Sequence, residues 1–292
     1  LGVARFLSGL PHGAFFGVGT VVAAQLADKG KEAQAISIMF TGMTIANLAG
    51  VPLGTYFGQN YSWRLTYGII ALLGIVTILA IKFWLPNVQT NSDKDIFKQL
   101  DYFKTKAAWL LIALISIGTG GLFAWISYIS PMVTKVSGLA ENKVPLIMIL
   151  IGLGMFFGNL IGGKISDTVS PTKAAIGAFS TMAITLLIVY FTAHIETMAY
   201  VMAFFTGMVA FTIGSPLQMM LIGSAKGSET LAAAAGQASF NLGNTLGAYF
   251  GGIPITLGFA YNSPTLVGVG MASVGAILSL VFLITFVNKN KI

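Results

Sequence analysis

The side chains best suited to hold or move a proton are few, and two of them share one apolar stretch: Arg5 and His12. Seven residues apart, they fall on the same side of a helix, and Pro11 can bend that helix between them. Ionisable groups in lipid are costly and usually face a cavity or a partner. Arg5 therefore either snorkels to the interface along its aliphatic stem or meets a partner inside. His12 is either a neutral, hydrogen-bonded packing residue or a group that titrates. No acid joins them: all nine (Asp28, Glu32, Asp93, Asp95, Asp101, Glu141, Asp167, Glu196 and Glu229) fall in or beside polar links. Two histidines, no cysteine and no acid in an apolar stretch leave no metal set and no Ser/His/Asp constellation, so neither an enzyme nor a cofactor is expected. Gly17-Val18-Gly19 and Gly152-Leu153-Gly154 complete no nucleotide-binding pattern.

Uncharged polar groups are more plentiful. Asn47, Asn159, Gln218, Gln237, Asn241 and Asn244 all interrupt apolar stretches. An unpaired amide in hydrocarbon is costly, so these must face one another or a wet cavity. Phe15, Phe16, Trp125, Tyr128, Phe211 and Phe240 could wall such a cavity, although aromatics at these depths also serve as core or lipid-facing residues. Asn47, Trp125, Tyr128, Gln218 and Asn241 are the selected candidates for contact with a solute. Gly50, Gly54 and Gly58, with Pro52 among them, recur every four residues and would let a neighbouring backbone approach. The link from Gly163 to Lys173, with Asp167 at its centre, reads on its own as a solvated charged turn.

These groups are carried by nine apolar stretches: residues 3–27, 34–58, 65–84, 107–133, 144–163, 174–193, 199–223, 231–259 and 266–287. At roughly 20 residues per 30 Å of hydrocarbon each can cross a bilayer as a helix, and none shows the alternation of a spanning strand. The fold class is therefore an all-α integral membrane bundle. Lys and Arg crowd alternate links, including Lys29, Lys31, Lys94, Lys98, Lys104, Lys106, Lys164, Lys173, Lys226, Lys289 and Lys291, whereas the opposite links carry Arg64, Lys135 and Lys143. The lysine-rich links and the C-terminus are thus expected on the cytoplasmic side of the cell membrane. The net charge of +7 reflects that topology and contact with anionic lipid, not nucleic acid. Leu1 opens inside an apolar stretch with no charged region before it, which reads as a helix entered partway in a longer parent.

The chain also resembles itself. Lys29-Gly30-Lys31-Glu32 corresponds to Lys226-Gly227-Ser228-Glu229, and Gly50, Gly54, Tyr56, Phe57 and Gly58 correspond to Gly243, Gly247, Tyr249, Phe250 and Gly251. Two matches in the same order argue for a repeated three-span unit running the same way across the membrane. The expected organisation is half of one six-helix domain in residues 1–86, a cytoplasmic connector in 87–106, and a whole six-helix domain in 107–292. The connector, with Ile96, Phe97, Leu100 and Phe103, is expected to include an interfacial helix.

Several segments resemble the major facilitator superfamily, and within it the arabinose-efflux-permease type of the drug:proton antiporter group. They are Arg5 to Gly17, Gly50 to Tyr56 with Ser62-Trp63-Arg64, Phe123-Ala124-Trp125, and Ser215 to Gln218. The resemblance implies that the nine spans are helices four to twelve of the usual twelve. It implies that Arg5 tunes a proton-carrying carboxylate, which the visible spans lack unless His12 takes its place. It implies an antiporter motif at Gly50, Pro52, Gly54 and Gly58 that packs the halves together, here altered by Val51 and Thr55. It further implies a conformational latch at Gly163, Asp167 and Lys173, with Asp167 capping a helix end and pairing with a cation; Thr168 and Pro171 replace basic residues, so this latch is expected to be weaker.

The function expected on these grounds is a monomeric secondary transporter exporting a small solute, with a sugar or sugar derivative favoured, in exchange for protons by alternating access. The alternatives are proton-linked efflux of purines, nucleosides or drugs, and a truncated membrane protein that transports nothing.

Overall fold

The computed structural model describes residues 2–50, 53–54, 57–58, 61–86 and 99–288, and the side chains among these except those of 2–12 and 47. The expectations for Pro52 and for Asp93, Lys94, Asp95, Ile96, Phe97 and Lys98 lie outside the described residues, as do those for the side chains of Arg5, His12 and Asn47. Every regular element among the described residues is helical. The helices are α1 Gly2–Leu26, α2 Glu32–Ile45, α3 Trp63–Trp84, α4 Lys106–Gly118, α5 Gly120–Ile126, α6 Ile129–Lys135, α7 Val144–Thr168, α8 Pro171–Thr192, α9 Glu196–Phe211, α10 Gly214–Ser224, α11 Glu229–Thr256 and α12 Pro264–Phe282.

Each expected span has its helix, and the departures have local causes. The second span loosens into a π-turn at Ala46–Gly50. The fourth is cut at Thr119 and again near Tyr128, making α4, α5 and α6. The seventh is cut before Gly214-Ser215-Pro216, making α9 and α10. Among the described residues six of the spans are long and apolar enough to cross a membrane by those criteria alone. Helix α11 is longer than any of them except the two broken spans and the 28-residue Glu141–Thr168, but Gln237, Asn241 and Asn244 dilute its apolar character.

Small residues set the packing. Helix α7 lays Gly154, Gly158 and Gly162 against the backbone of α9 at Phe204, Met208 and Thr212. Helix α11 lays Gly243, Gly247 and Gly251 against α4 and α5 at Ser116, Gly120 and Ala124. A Cβ at any of these six positions would collide with backbone or with a neighbouring side chain, so backbone proximity replaces the hydrophobic drive that lipid cannot supply. Around these seams Trp125, Phe179, Leu111, Ile115, Ile147, Met182 and Phe282 form a buried core. Tyr102, before α4, is tucked into it, and burial pushes its phenol above the ordinary value of 10.0, against a smaller lowering by the Ser224 hydroxyl 3.5 Å away.

The two links of the expected repeat take the same local form. Gly30 and Gly227 both take positive φ, 81° and 84°, and each donates its N–H to the glutamate two residues on, Glu32 or Glu229. Both turns deliver a helix, α2 or α11, with an acid in its first turn where the helix dipole favours one. Helices α1 and α2 meet the rest of the molecule on α11, α7 and α10. Gly17 of α1 fits directly beneath Thr230 and Ala234 of α11.

Candidate functional site

A cavity of about 310 Å³ lies where these groups of helices meet. Two turns of α11 supply Gln237, Phe240, Asn241 and Asn244, which the spacing of three and four residues places on one helix face. Opposite them α2 supplies Phe40 and Met43, and α7 supplies Asn159. The two broken spans contribute at their breaks: Gly118, Thr119, Leu122 and Phe123 from one, Ala210, Phe211, Ile213 and Gly214 from the other. Broken helices in a membrane are tolerated where they line a cavity, because backbone groups freed at the break can be satisfied there. Thr119 still returns its hydroxyl to Ile115 at 2.7 Å. Among the described residues lining the cavity none is ionisable; four amides, one hydroxyl and four phenylalanine rings share its wall with aliphatic and thioether side chains such as Met43, Leu122, Met182 and Ile213.

Beside the cavity runs a seam between α2 and α7. Asp167, Gly163 and Asn159 recur every four residues along α7, and Ala33, Ser37 and Thr41 do the same along α2. At one end the Asp167 carboxylate accepts two backbone N–H groups at the start of α2, Ala33 on Oδ1 and Gln34 on Oδ2, both at 2.9 Å. These are charge-assisted bonds to orphan donors at the positive end of a helix. In the middle, Gly163 has no room for a Cβ beside Ser37 and the Ala33 carbonyl. At the inner end the Asn159 amide nitrogen donates to the Ser37 carbonyl and, at 3.2 Å, to Thr41 Oγ1.

Of the residues selected from the sequence, Asn241 lines the cavity and Asp167 and Gly163 sit on the seam. Trp125 and Gln218 do not line the cavity; both are buried in the core, with the indole N–H and both polar atoms of the Gln218 amide lacking a hydrogen-bond partner among the described residues. Gln218 lies one turn beyond Gly214, away from the cavity wall. Tyr128 donates its hydroxyl to the Ala248 carbonyl at 2.8 Å, tying the α5–α6 junction to α11. Gly54 and Gly58 rest on Thr66 of α3, and Gly50 meets only Ala46 of its own turn, so among the described residues this stripe does not join the two groups of helices. Ser170 caps the start of α8, its Oγ accepting from the Lys173 backbone N–H at 3.2 Å; among the described residues neither the Lys173 ammonium nor the Asp167 carboxylate is in an ion pair. Asn159, Gln237 and Asn244 were legible as amides in apolar stretches, yet nothing in their spacing to distant elements ranked them above Gln218.

The family model described as Major Facilitator Superfamily matches residues 1–248. The AraJ protein of Escherichia coli (strain K12) is 41% identical over 262 residues, covering 90% of this chain and 66% of AraJ, so the chain spans just under two thirds of that relative. The inner membrane transport protein YdhP of the same organism is 33% identical over 281 residues, covering 96% of this chain and 72% of YdhP. The crystal structure of the E. coli fucose:proton symporter FucP superposes with a TM-score of 0.67 over 91% of this chain and 73% of that one, at 11% identity, a likeness of fold. Helical bundle, broken spans at a central cavity and family match agree: the chain belongs to the Major Facilitator Superfamily, whose members are transporters rather than enzymes.

Proposed function

We propose that this chain is the cavity-bearing part of a secondary transporter that exports a small neutral solute, a sugar or sugar derivative, in exchange for protons. The observation that carries this reading is the cavity wall. Asn159, Gln237, Asn241, Asn244 and Thr119 offer hydrogen bonds of both senses, while Phe40, Phe123, Phe211 and Phe240 offer flat apolar faces, and no charge stands among the described lining residues. A polyhydroxylated ring needs that combination: donors and acceptors for its hydroxyls and apolar surface for its C–H face. At about 310 Å³ the cavity is at the small end of ligand sites, suited to one compact molecule.

In this reading residues 1–86 and 107–292 are the two moving bodies, residues 87–106 connect them, and the protein works as a monomer in the cytoplasmic membrane with Lys29, Lys31 and the C-terminus inside. The α2–α7 seam then closes the cytoplasmic side, and parting it opens the cavity inward. Arg5 and His12, on α1, are the coupling candidates: Arg5 electrostatically, His12 as a proton carrier. The four aromatic rings also favour a planar heterocycle, so efflux of purines or nucleosides is the second reading.

The test is transport by inverted vesicles carrying the protein. Labelled neutral monosaccharides should accumulate when the vesicle interior is acidified and should be displaced by other sugars more than by nucleosides. Uptake indifferent to the pH gradient contradicts antiport, and displacement by nucleosides alone selects the second reading.

A further inference from the structure

Asn159 belongs to two structures at once. It lines the cavity, and it is also the inner tooth of the α2–α7 seam. An asparagine amide nitrogen carries two hydrogens, and here both are spent on α2, one on the Ser37 carbonyl and one on Thr41 Oγ1. Because a carbonyl can only accept, the Ser37 contact fixes which end of the amide is nitrogen. The residue is 2% exposed. Thr41 Oγ1 itself donates to the Ser37 carbonyl at 3.0 Å, so the three groups form one closed set.

From this arrangement we infer that Asn159 is the positioning residue that couples occupancy of the cavity to opening of the seam. An acceptor oxygen on a solute can take a hydrogen from Asn159 only if the amide turns away from α2. Solute contact and the closed seam therefore compete for the same N–H groups, and each disfavours the other. Four residues along α7, Gly163 gives the seam its closest backbone approach, and four further on Asp167 holds the start of α2, so loss of the inner tooth is felt along one continuous helix face. Linkage makes the effect reciprocal: occupancy favours the parted seam by the factor by which parting the seam improves affinity. This inference rests on the cavity being the solute site, and its test needs no knowledge of the solute.

The chain contains no cysteine, so one introduced at Phe211 or, separately, at Asn241 can be modified alone. Reaction with 2-hydroxyethyl methanethiosulfonate places a hydroxyl in the cavity, and propyl methanethiosulfonate places a group of the same size without one. Hydrogen–deuterium exchange at Ala33 and Gln34, whose N–H groups are held across the seam by Asp167, reports the seam. The hydroxyethyl adduct at one of the two positions should raise that exchange about tenfold over the propyl adduct. In the Asn159→Leu background, each adduct being compared with its own unmodified form, the difference between hydroxyethyl and propyl should vanish. Equal effects of the two adducts at both positions, or a hydroxyl effect that survives Asn159→Leu, would overturn the inference. Failure of sugar transport in vesicles would remove the proposed solute and leave this result standing.

Discussion

Helices α3 and α7 are both apolar enough to span a bilayer, yet they behave as opposites. Among the described residues helix α3, Trp63–Trp84, is buried at none of its positions, and a Cβ at Gly68 or Gly74 would meet no described atom within 4 Å. Helix α7, Val144–Thr168, buries Ile147, Ile151, Gly158, Asn159, Gly163 and Ser166 among others, against α9 on one side and α2 on another. Hydropathy places a helix in lipid but does not decide what it touches. That is decided by small residues at helical spacing, which bring backbones together, and by polar groups that find partners across the gap.

Leucine at a glycine of each helix is the sharpest way to break this contrast. Gly158→Leu, whose side chain would run into the Met208 carbonyl, should destabilise the protein by about 3 kcal/mol, while Gly74→Leu on α3 should stay within about 0.5 kcal/mol. Thermal melting of the two purified variants in detergent reads both, and equal losses would erase the distinction between the helices. Asp167→Asn sharpens the comparison at the polar end of α7. Removing its charge from the start of α2 should cost about 1 to 2 kcal/mol, seen as faster hydrogen exchange at Ala33 and Gln34 with the rest of α2 less affected.

Smaller effects belong to the turns and the connector. Gly30→Ala and Gly227→Ala each place a Cβ at positive φ and should cost about 1 kcal/mol by melting, nearly the same for both if the turns are true equivalents. Tyr102 adds a pH dependence. Its folded-state value lies above the ordinary 10.0, so its contribution is complete below pH 10 and is lost as the pH rises through the raised folded value. Tyr102→Phe should flatten that alkaline loss in a melting series.

Much of the fold was legible because lipid imposes simple rules. Nine apolar stretches became helical elements, and the twin links around Gly30 and Gly227 became twin turns. The capping role of Asp167 was implied by the family resemblance and not by the residues alone, and neither named α2 as the helix capped. The cavity was less legible. Asn241 and Gln218 look alike in the sequence, each an amide in an apolar stretch, yet one faces the cavity and the other is buried with no hydrogen-bond partner among the described residues. The difference depends on how α10 and α11 are rotated by their neighbours, which spacing within one helix cannot reveal. The breaks at Thr119 and before Gly214 also depend on tertiary packing, although Gly214-Ser215-Pro216 in the middle of an apolar stretch was a signal for the second.

The central claim is that the two groups of helices part along the α2–α7 seam, and the distance across its polar end tests it most directly. Lys29→Cys and Thr168→Cys, both at exposed positions in a chain without native cysteine, carry spin labels for pulsed electron resonance in lipid nanodiscs. The account predicts two distance populations, with Asp167→Asn moving molecules from the shorter to the longer. A single short distance, unchanged by Asp167→Asn, would contradict it.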